Sequence, residues 1–263
     1  MLIDFHFHAF NEKIAERAIA KLEVTCGQKA LTNGTLANAV ELFDKWDVDK
    51  GVLLPIATKP TQQKVINDWA AAVNSERIIS FGSIHPEAED VYDELKRIKS
   101  LGLHGIKLHP DYQQFFIEEE RLDPIFDAME ALDLPVVIHA GLDPLSPDMI
   151  YCKPKPASEM IKKHPGLTVI LAHLGGNECW EDSLEYICGL EGNVYIDTAY
   201  SLKCPDELMY KIIKKHGADR VLFGSDCPWA EADKVRAKIE AMPLSDREKE
   251  MIFHENAERL LKI

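Results

Sequence analysis

The sequence predicts a single α/β domain, a (β/α)8 barrel of the TIM type that spans residues 1–263. Three observations support this fold class. Short β-branched apolar segments alternate with segments of helical period, which is typical of parallel strands joined by helical crossovers and covered on both faces. About eight such units in a chain of 263 residues fit a closed barrel. An open doubly wound sheet, the alternative, would carry a glycine-rich phosphate loop after its first strand, and none is present.

The first strand lies within Met1–Phe10 (MLIDFHFHAF). Because side chains alternate across a strand, the even-numbered residues from Leu2 to His8 are expected on one face and Ile3 to Phe7 on the other. His6 and His8 would then point the same way, with Cα atoms about 6.5–7 Å apart. The seven later strands are predicted at Gly51–Ile56, Ile78–Ile84, Gly105–His109, Pro135–Ala140, Leu167–His173, Val194–Ala199 and Arg220–Ser225.

Helices are predicted between these strands from apolar residues that recur with helical spacing. No linker, low-complexity segment or block of like charge divides the chain, so no domain boundary is expected. The predicted helices are Asn11–Glu23, Thr35–Trp46, Gln62–Asn74, Glu87–Leu101, Asp123–Leu132, Ala157–His164, Glu181–Leu190 and Asp206–His216, with helical structure from the last strand to Ile263.

Bulk composition excludes several classes of protein. A formal net charge of −14 argues against binding to nucleic acid, whose backbone requires clustered Lys and Arg. No segment is long and apolar enough to cross a membrane, and no secretory signal precedes the first strand. Six cysteines without a C-x-x-C pair indicate reduced thiols. We therefore expect a cytoplasmic protein that acts on a small molecule.

Polar residues end five of the eight predicted strands, where the active sites of such barrels lie. Convergence of several imidazoles and a carboxylate at one rim predicts a shared metal site. Nitrogen and oxygen ligands of this kind suit Zn²⁺, with Mn²⁺, Fe²⁺ or Co²⁺ as alternatives, and a catalytic role. The strand-end residues are His6 and His8 on the first strand, Lys107 and His109 on the fourth, His139 on the fifth, His173 on the sixth and Asp226 on the eighth.

The segments IDFHFH, GIKLHP, VVIHAG, ILAHLGG, FGSDCPW and NAERLL occur in this order along nearly the whole chain. With them the sequence resembles the metal-dependent amidohydrolase superfamily, in the branch that contains aminocarboxymuconate semialdehyde decarboxylase. The resemblance implies a TIM-like barrel whose metal is bound by His6, His8, His139 and Asp226. It also implies that His173 either contacts the substrate or binds a second metal, and it suggests a dimer or larger oligomer.

The leading functional hypothesis is a hydrolase that cleaves an amide, ester or lactone of a small anionic substrate with a metal-activated water. Asp226 would transfer the proton, and His173, if free of metal, would polarise the scissile carbonyl. Lys107 would either be carboxylated and bridge two metals or, as we favour, bind a substrate carboxylate as an ammonium. We expect His109, Tyr112 and Trp229 to contact the substrate. Asp4 would either orient one of the ligand histidines or satisfy buried backbone donors.

Three other functions remain open at this point. The same metal cage supports a lyase, either a non-oxidative decarboxylase or a hydratase of an unsaturated acid. A TatD-like nuclease also opens with H-x-H, but that family usually has a glutamate at the position of Lys107, and the acidic chain suits a polyanion poorly. A non-catalytic barrel would need no metal. Product analysis separates hydrolase from lyase.

Overall fold

The computed structural model describes residues 1–263 and contains nine strands, all paired in parallel. The first three form one sheet and the other six form a second sheet, each in sequential order. The strands are β1 (Ile3–Phe7), β2 (Lys50–Leu53), β3 (Ile78–Ser80), β4 (Gly82–Ser83), β5 (Ile106–Leu108), β6 (Val136–Ile138), β7 (Val169–Leu171), β8 (Val194–Asp197) and β9 (Val221–Leu222).

Backbone hydrogen bonds join the two sheets into one barrel. β3 and β4 are separated only by Phe81, whose N–H donates to the Leu53 carbonyl at 3.0 Å, while Gly82 N–H donates to Gly105 O at 2.8 Å. Together they form the single third strand that the sequence predicts. On the other side, β1 pairs with the last strand, because Phe5 N–H donates to Phe223 O at 2.7 Å. The eight-stranded (β/α)8 barrel is therefore confirmed.

The helices follow the predicted order, and most of their ends lie within a few residues of the predicted ones. The first helix extends to Cys26, and the loop predicted after the fourth strand begins with a short helix. None of the helices combines the length and the apolar character needed to cross a membrane. They are α1 (Glu12–Cys26), α2 (Leu36–Lys45), α3 (Gln63–Val73), α4 (Val91–Ser100), α5 (Pro110–Gln113), α6 (Asp123–Ala131), α7 (Pro154–Lys163), α8 (Trp180–Tyr186), α9 (Asp206–His216), α10 (Ala232–Glu240), α11 (Asp246–Glu250) and α12 (Asn256–Leu261).

Two apolar clusters account for the layered packing. The larger cluster fills the space between the strands and the helices, as expected for strands buried on both faces. The smaller one fills the barrel interior with one or two residues from most strands, and Ala257 and Leu261 of α12 pack into it. Within the barrel, this packing leaves the mouth, where the strands end, for the predicted metal-ligating side chains.

A bulge in β1 changes which residues face the barrel. The register of β1 against β2 shifts between Asp4 and Phe7. Ile3 and Phe5 belong to the inner cluster, whereas Phe7 packs in the outer one. The predicted strict alternation is thus wrong here, because a bulge inserts one residue and reverses the side-chain parity that follows it. Asp4 faces outward, while His6 and His8 turn into the mouth.

Candidate metal centre

Three of the predicted ligands converge at the mouth: His6 from β1, His8 from the residue that follows β1, and Asp226 from the segment after β9. His6 Nε2 lies 3.2 Å from His8 Nε2 and 3.5 Å from Asp226 Oδ1, and His8 Nε2 lies 3.3 Å from the same oxygen. Ligand atoms bonded at about 2.0–2.1 Å to a tetrahedral ion lie roughly 3.3–3.4 Å apart. The three observed separations therefore match the edges of one coordination shell.

The hydrogen bond made by Nδ1 of each imidazole determines whether the Nε2 that faces the centre carries a proton. His6 Nδ1 donates to Asp197 Oδ2 at 2.8 Å, and His8 Nδ1 donates to the Leu54 carbonyl at 2.7 Å. Each neutral ring then presents an unprotonated Nε2. Two lone pairs and a carboxylate oxygen in mutual contact repel one another unless a cation lies between them. The donor set thus fits a divalent ion, and both second nitrogens are anchored as in known metal sites.

Burial keeps the His6 imidazole neutral. Burial lowers the pKa of His6 well below its ordinary value, and the neighbouring Lys107 lowers it further. Metal binding requires the neutral ring, so the environment favours the ligand form. Gly224 makes room for His6, because a Cβ at position 224 would lie 3.0 Å from the Cβ of His6.

Backbone strain is concentrated at the same rim. Asp226 has φ 74° and His173 has φ 61°, both in the left-handed region that non-glycine residues rarely adopt. Such residues cost about 1–3 kcal/mol each and persist where the surrounding structure holds them for a function. Both residues follow buried strands. The backbone turns sharply at each of them and directs the side chain toward the mouth.

Lys107 lies at the inner wall of the centre. It is fully buried on β5, and its Nζ is 3.5 Å from His6 Nε2. Burial lowers its pKa to about 8, opposed by the carboxylates of Asp197, Asp226 and Asp143. The side chain is therefore mainly an ammonium at pH 7, with no carboxylate in direct contact.

His139 and His173 pair with each other. His173 Nδ1 donates to Ala199 O at 3.0 Å, which leaves its Nε2 to accept from His139 Nδ1 at 2.9 Å. The ligand atoms of His139 do not fall within the group formed by His6, His8 and Asp226. The structure thus brings together three of the four ligands that the resemblance implied. His139 lies outside this group and is hydrogen-bonded to His173, whose two ring nitrogens are both engaged.

The predicted substrate residues surround the mouth. His109 stacks on His139 with ring centroids 4.1 Å apart, and Tyr112 packs edge-on against His109 at 4.5 Å. Tyr112 and Trp229 are both half-buried. Trp229 is tied to the metal group through its backbone, since its N–H donates to Asp226 O at 2.7 Å.

Several residues with direct contacts to this site were not among the predicted metal ligands or the leading substrate residues. Asp197, at the end of β8, anchors His6, and Asp111 and Asp143 lie beside His109 and His139. The sequence pattern could have identified these three aspartates, because each of them follows or ends a predicted strand. Asp4, in contrast, contacts neither imidazole ring: it accepts from the backbone of His6 and from Ser225, so it satisfies buried donors.

Replacement of Asp197 by asparagine should weaken metal binding about 10–100-fold, the usual cost of losing a carboxylate that orients a ligand histidine. The carboxylate holds the proton on His6 Nδ1, whereas an asparagine amide can present an N–H there and favour the wrong tautomer. Affinity for Zn²⁺ or Mn²⁺ is measured by competition with a chelator. Thr198→Val is the control, since the side chain of Thr198 bonds only to the backbone of Gly224. Equal metal affinity in D197N and the wild type would contradict the assignment.

Comparisons with known proteins agree with this fold and identify a family. A family model described as amidohydrolase matches residues 3–263. An uncharacterised TIM-barrel protein from Bordetella bronchiseptica superposes with a TM-score of 0.78 at 20% identity, covering 99% of this chain and 98% of that one. A 2,6-dihydroxybenzoate decarboxylase, solved with 2,6-dihydroxybenzoate, has a TM-score of 0.74 at 17% identity over 100% and 99% of the two chains. A 5-carboxyvanillate decarboxylase from Novosphingobium aromaticivorans, solved with manganese, has a TM-score of 0.72 at 19% identity over 100% and 97%.

Proposed function

This chain belongs to the amidohydrolase family, and on that premise we propose that it is a metal-dependent lyase that decarboxylates a small aromatic carboxylic acid. The observation that carries the proposal is the buried ammonium of Lys107 beside a convergent group of two imidazoles and one carboxylate. An ammonium beside the metal ligands would bind the carboxylate of an acidic substrate. The decarboxylases among the similar structures favour this lyase reading over the hydrolase that the sequence suggested first.

His6, His8 and Asp226 would hold the ion. Both zinc and manganese accept imidazole nitrogen and carboxylate oxygen, and manganese is present in the 5-carboxyvanillate decarboxylase structure. When bound, the ion would act as a Lewis acid on a substrate oxygen. The remaining chemistry falls to the side chains around it.

Lys107 would bind the substrate carboxylate as an ammonium. With its pKa at about 8, it carries a positive charge at neutral pH, and its burial excludes competing water. The rings of Tyr112 and Trp229 lie at the same mouth and offer apolar area to a planar substrate. Together they would select a flat acid.

Decarboxylation replaces a C–CO₂⁻ bond by a C–H bond, so one proton must reach the carbon as carbon dioxide leaves. Asp226 is the group that we propose for this transfer. Its Oδ1 lies 3.5 Å from His6 Nε2 and 3.3 Å from His8 Nε2, so we propose that the other oxygen, Oδ2, carries the proton. Asp226 has a strained left-handed backbone conformation, and residues with such strain are often found at catalytic sites.

The products separate the lyase from a hydrolase that uses the same metal group. The metal-loaded protein is incubated in D₂O, or in water enriched in ¹⁸O, with hydroxybenzoates and with aryl amides, esters and lactones. A lyase releases carbon dioxide and leaves one deuterium on the carbon that lost the carboxylate, without ¹⁸O in the organic product. Cleavage of an amide, ester or lactone with ¹⁸O in the product acid, and no carbon dioxide from any acid, would overturn the proposal. The D226N variant, which we expect to be inactive, is the negative control.

A further inference from the structure

The segment that follows α1 is fixed to the rim of the mouth. It comprises residues 26–31, hereafter the strap. α1 ends at Cys26, and Gly27 adopts the left-handed conformation that terminates many helices, with φ 63°. The far end of the strap is bonded to the loop after β9, because Leu31 N–H donates to Pro228 O at 2.9 Å. The strap is therefore held at one end by α1 and at the other by the loop that carries the metal-ligating carboxylate.

Gln28, within the strap, uses both ends of its side-chain amide. Its Nε2 donates to Trp229 O, and its Oε1 accepts from the Tyr200 hydroxyl at 2.8 Å. All three residues are half-buried. Because an amide donates and accepts at the same time, one side chain can hold both partners. Gln28 thus joins the loop after β1 to the loops after β8 and β9.

Both partners of Gln28 are bonded to the backbone around the candidate centre. Trp229 N–H donates to Asp226 O at 2.7 Å, and Tyr200 N–H donates to Ser225 O at 3.1 Å. Tyr200 also has φ 55°, in the left-handed region that non-glycine residues rarely adopt. A change at Gln28 would therefore reach the mouth through these two aromatic residues.

The charges around Cys26 indicate that the strap extends over the mouth. Burial, together with the carboxylates of Asp143 and Asp226, raises the pKa of the Cys26 thiol to about 11. A carboxylate has this effect on a thiol only when the two groups are close. Asp143 follows β6, the fifth strand of the barrel, which lies opposite the first strand in a barrel of eight. The strap thus reaches from the side of the first strand toward the opposite wall.

We propose that Gln28 is a positioning residue whose amide fixes Tyr200 and Trp229 as one wall of the substrate pocket, so that it limits the size of the acid that reaches the metal ligands. This inference rests on the proposed function, because the acid is the substrate of the lyase. Side chains that are fixed by hydrogen bonds lose little freedom when a ligand binds, so a preformed wall favours the acid that fits it. Without the amide, the wall would yield to a larger ring system.

The first test compares two acids on the Mn²⁺-loaded full chain, 2-hydroxybenzoate and the larger 1-hydroxy-2-naphthoate. Gln28→Met keeps the length of the side chain and removes both hydrogen bonds. We expect KM for 2-hydroxybenzoate to rise roughly 2–10-fold, as for one or two lost hydrogen bonds, with kcat and Mn²⁺ affinity unchanged. The preference for 2-hydroxybenzoate in kcat/KM should fall by at least the same factor. Lys29→Met is the matched control, because Lys29 lies in the strap but its side chain is 89% exposed.

A double-variant cycle tests whether Gln28 acts through Tyr200. Tyr200→Phe removes the same hydrogen bond from the other side and leaves the ring in place. If the two residues act as a unit, adding Y200F to Q28M should change KM and the preference between the acids no further. Effects that multiply in the double variant would overturn the assignment. Circular dichroism verifies that each variant is folded, and Y200F alone provides the comparison with the wild type if Q28M is unfolded.

Labelling of Cys26 by a disulfide reagent such as dithiobis(nitrobenzoate) supplies a readout that does not depend on the reaction. A loosened strap should expose the thiol, so we expect faster labelling in Q28M and Y200F than in the wild type and K29M. Cys26→Ser identifies the signal, since Cys179 is also half-buried. Faster labelling without carbon dioxide release from any acid would overturn the proposed lyase but retain the link between Gln28 and the strap. Equal labelling rates in Q28M, Y200F and the wild type would overturn the role of Gln28.

Discussion

Replacement of His8 by alanine should remove the metal ion of the candidate centre and reduce kcat/KM on the order of 10³-fold. The ion is expected to contribute several kcal/mol of transition-state stabilisation, and each ~1.4 kcal/mol corresponds to a factor of ten. His8 supplies one of the three converging ligand atoms. Its side chain is 14% exposed at the lip of the mouth, so the Leu54 carbonyl that it leaves can be solvated and the fold should be retained.

The matched control is His104→Ala. His104 is half-buried at the opposite end of the barrel, next to residues that precede the strands, and has no part in the metal centre. The metal content and the rate of carbon dioxide release are measured for both variants. Full activity of H8A with metal absent would exclude a role for the ion in catalysis.

Replacement of Asp4 by alanine should lower the free energy of unfolding by about 3–5 kcal/mol. Asp4 is fully buried and accepts from His6 N–H at 3.1 Å, from Ser225 N–H at 2.9 Å and from the Ser225 hydroxyl. Alanine would leave these buried donors without an acceptor, and each costs about 1–3 kcal/mol. These bonds tie β1 to the segment after β9, where the barrel closes.

The measurement is urea unfolding at neutral pH in the presence of a chelator, so that metal binding adds nothing to stability. Asp49→Ala is the control, because Asp49 also accepts from the backbone at the start of β1, at Leu2 N–H, but is exposed. It should cost no more than about 1 kcal/mol. Equal losses in D4A and D49A would show that barrel closure does not depend on Asp4.

Much of the architecture could be predicted because it depends on local patterns. Eight apolar segments with helical segments between them are enough to predict parallel strands, and polar residues that end those strands must meet at one rim of a barrel. His6, His8 and Asp226 are strand-end residues of this kind, the family resemblance implied that they bind the metal, and they lie together. Lys107 and His109 also reach the mouth as expected.

The sequence by itself determined the order of the strands, the rim at which polar residues gather and the chemical type of the ligands. Only the tertiary structure decided the bulge that turns Asp4 away from the mouth, the carboxylate of Asp197 behind His6, and the pairing of His139 with His173. Strand periodicity depends on residues a few positions apart, so it can be read along the chain. Bulges and imidazole tautomers depend instead on contacts between distant segments, and those contacts exist only once the barrel has closed.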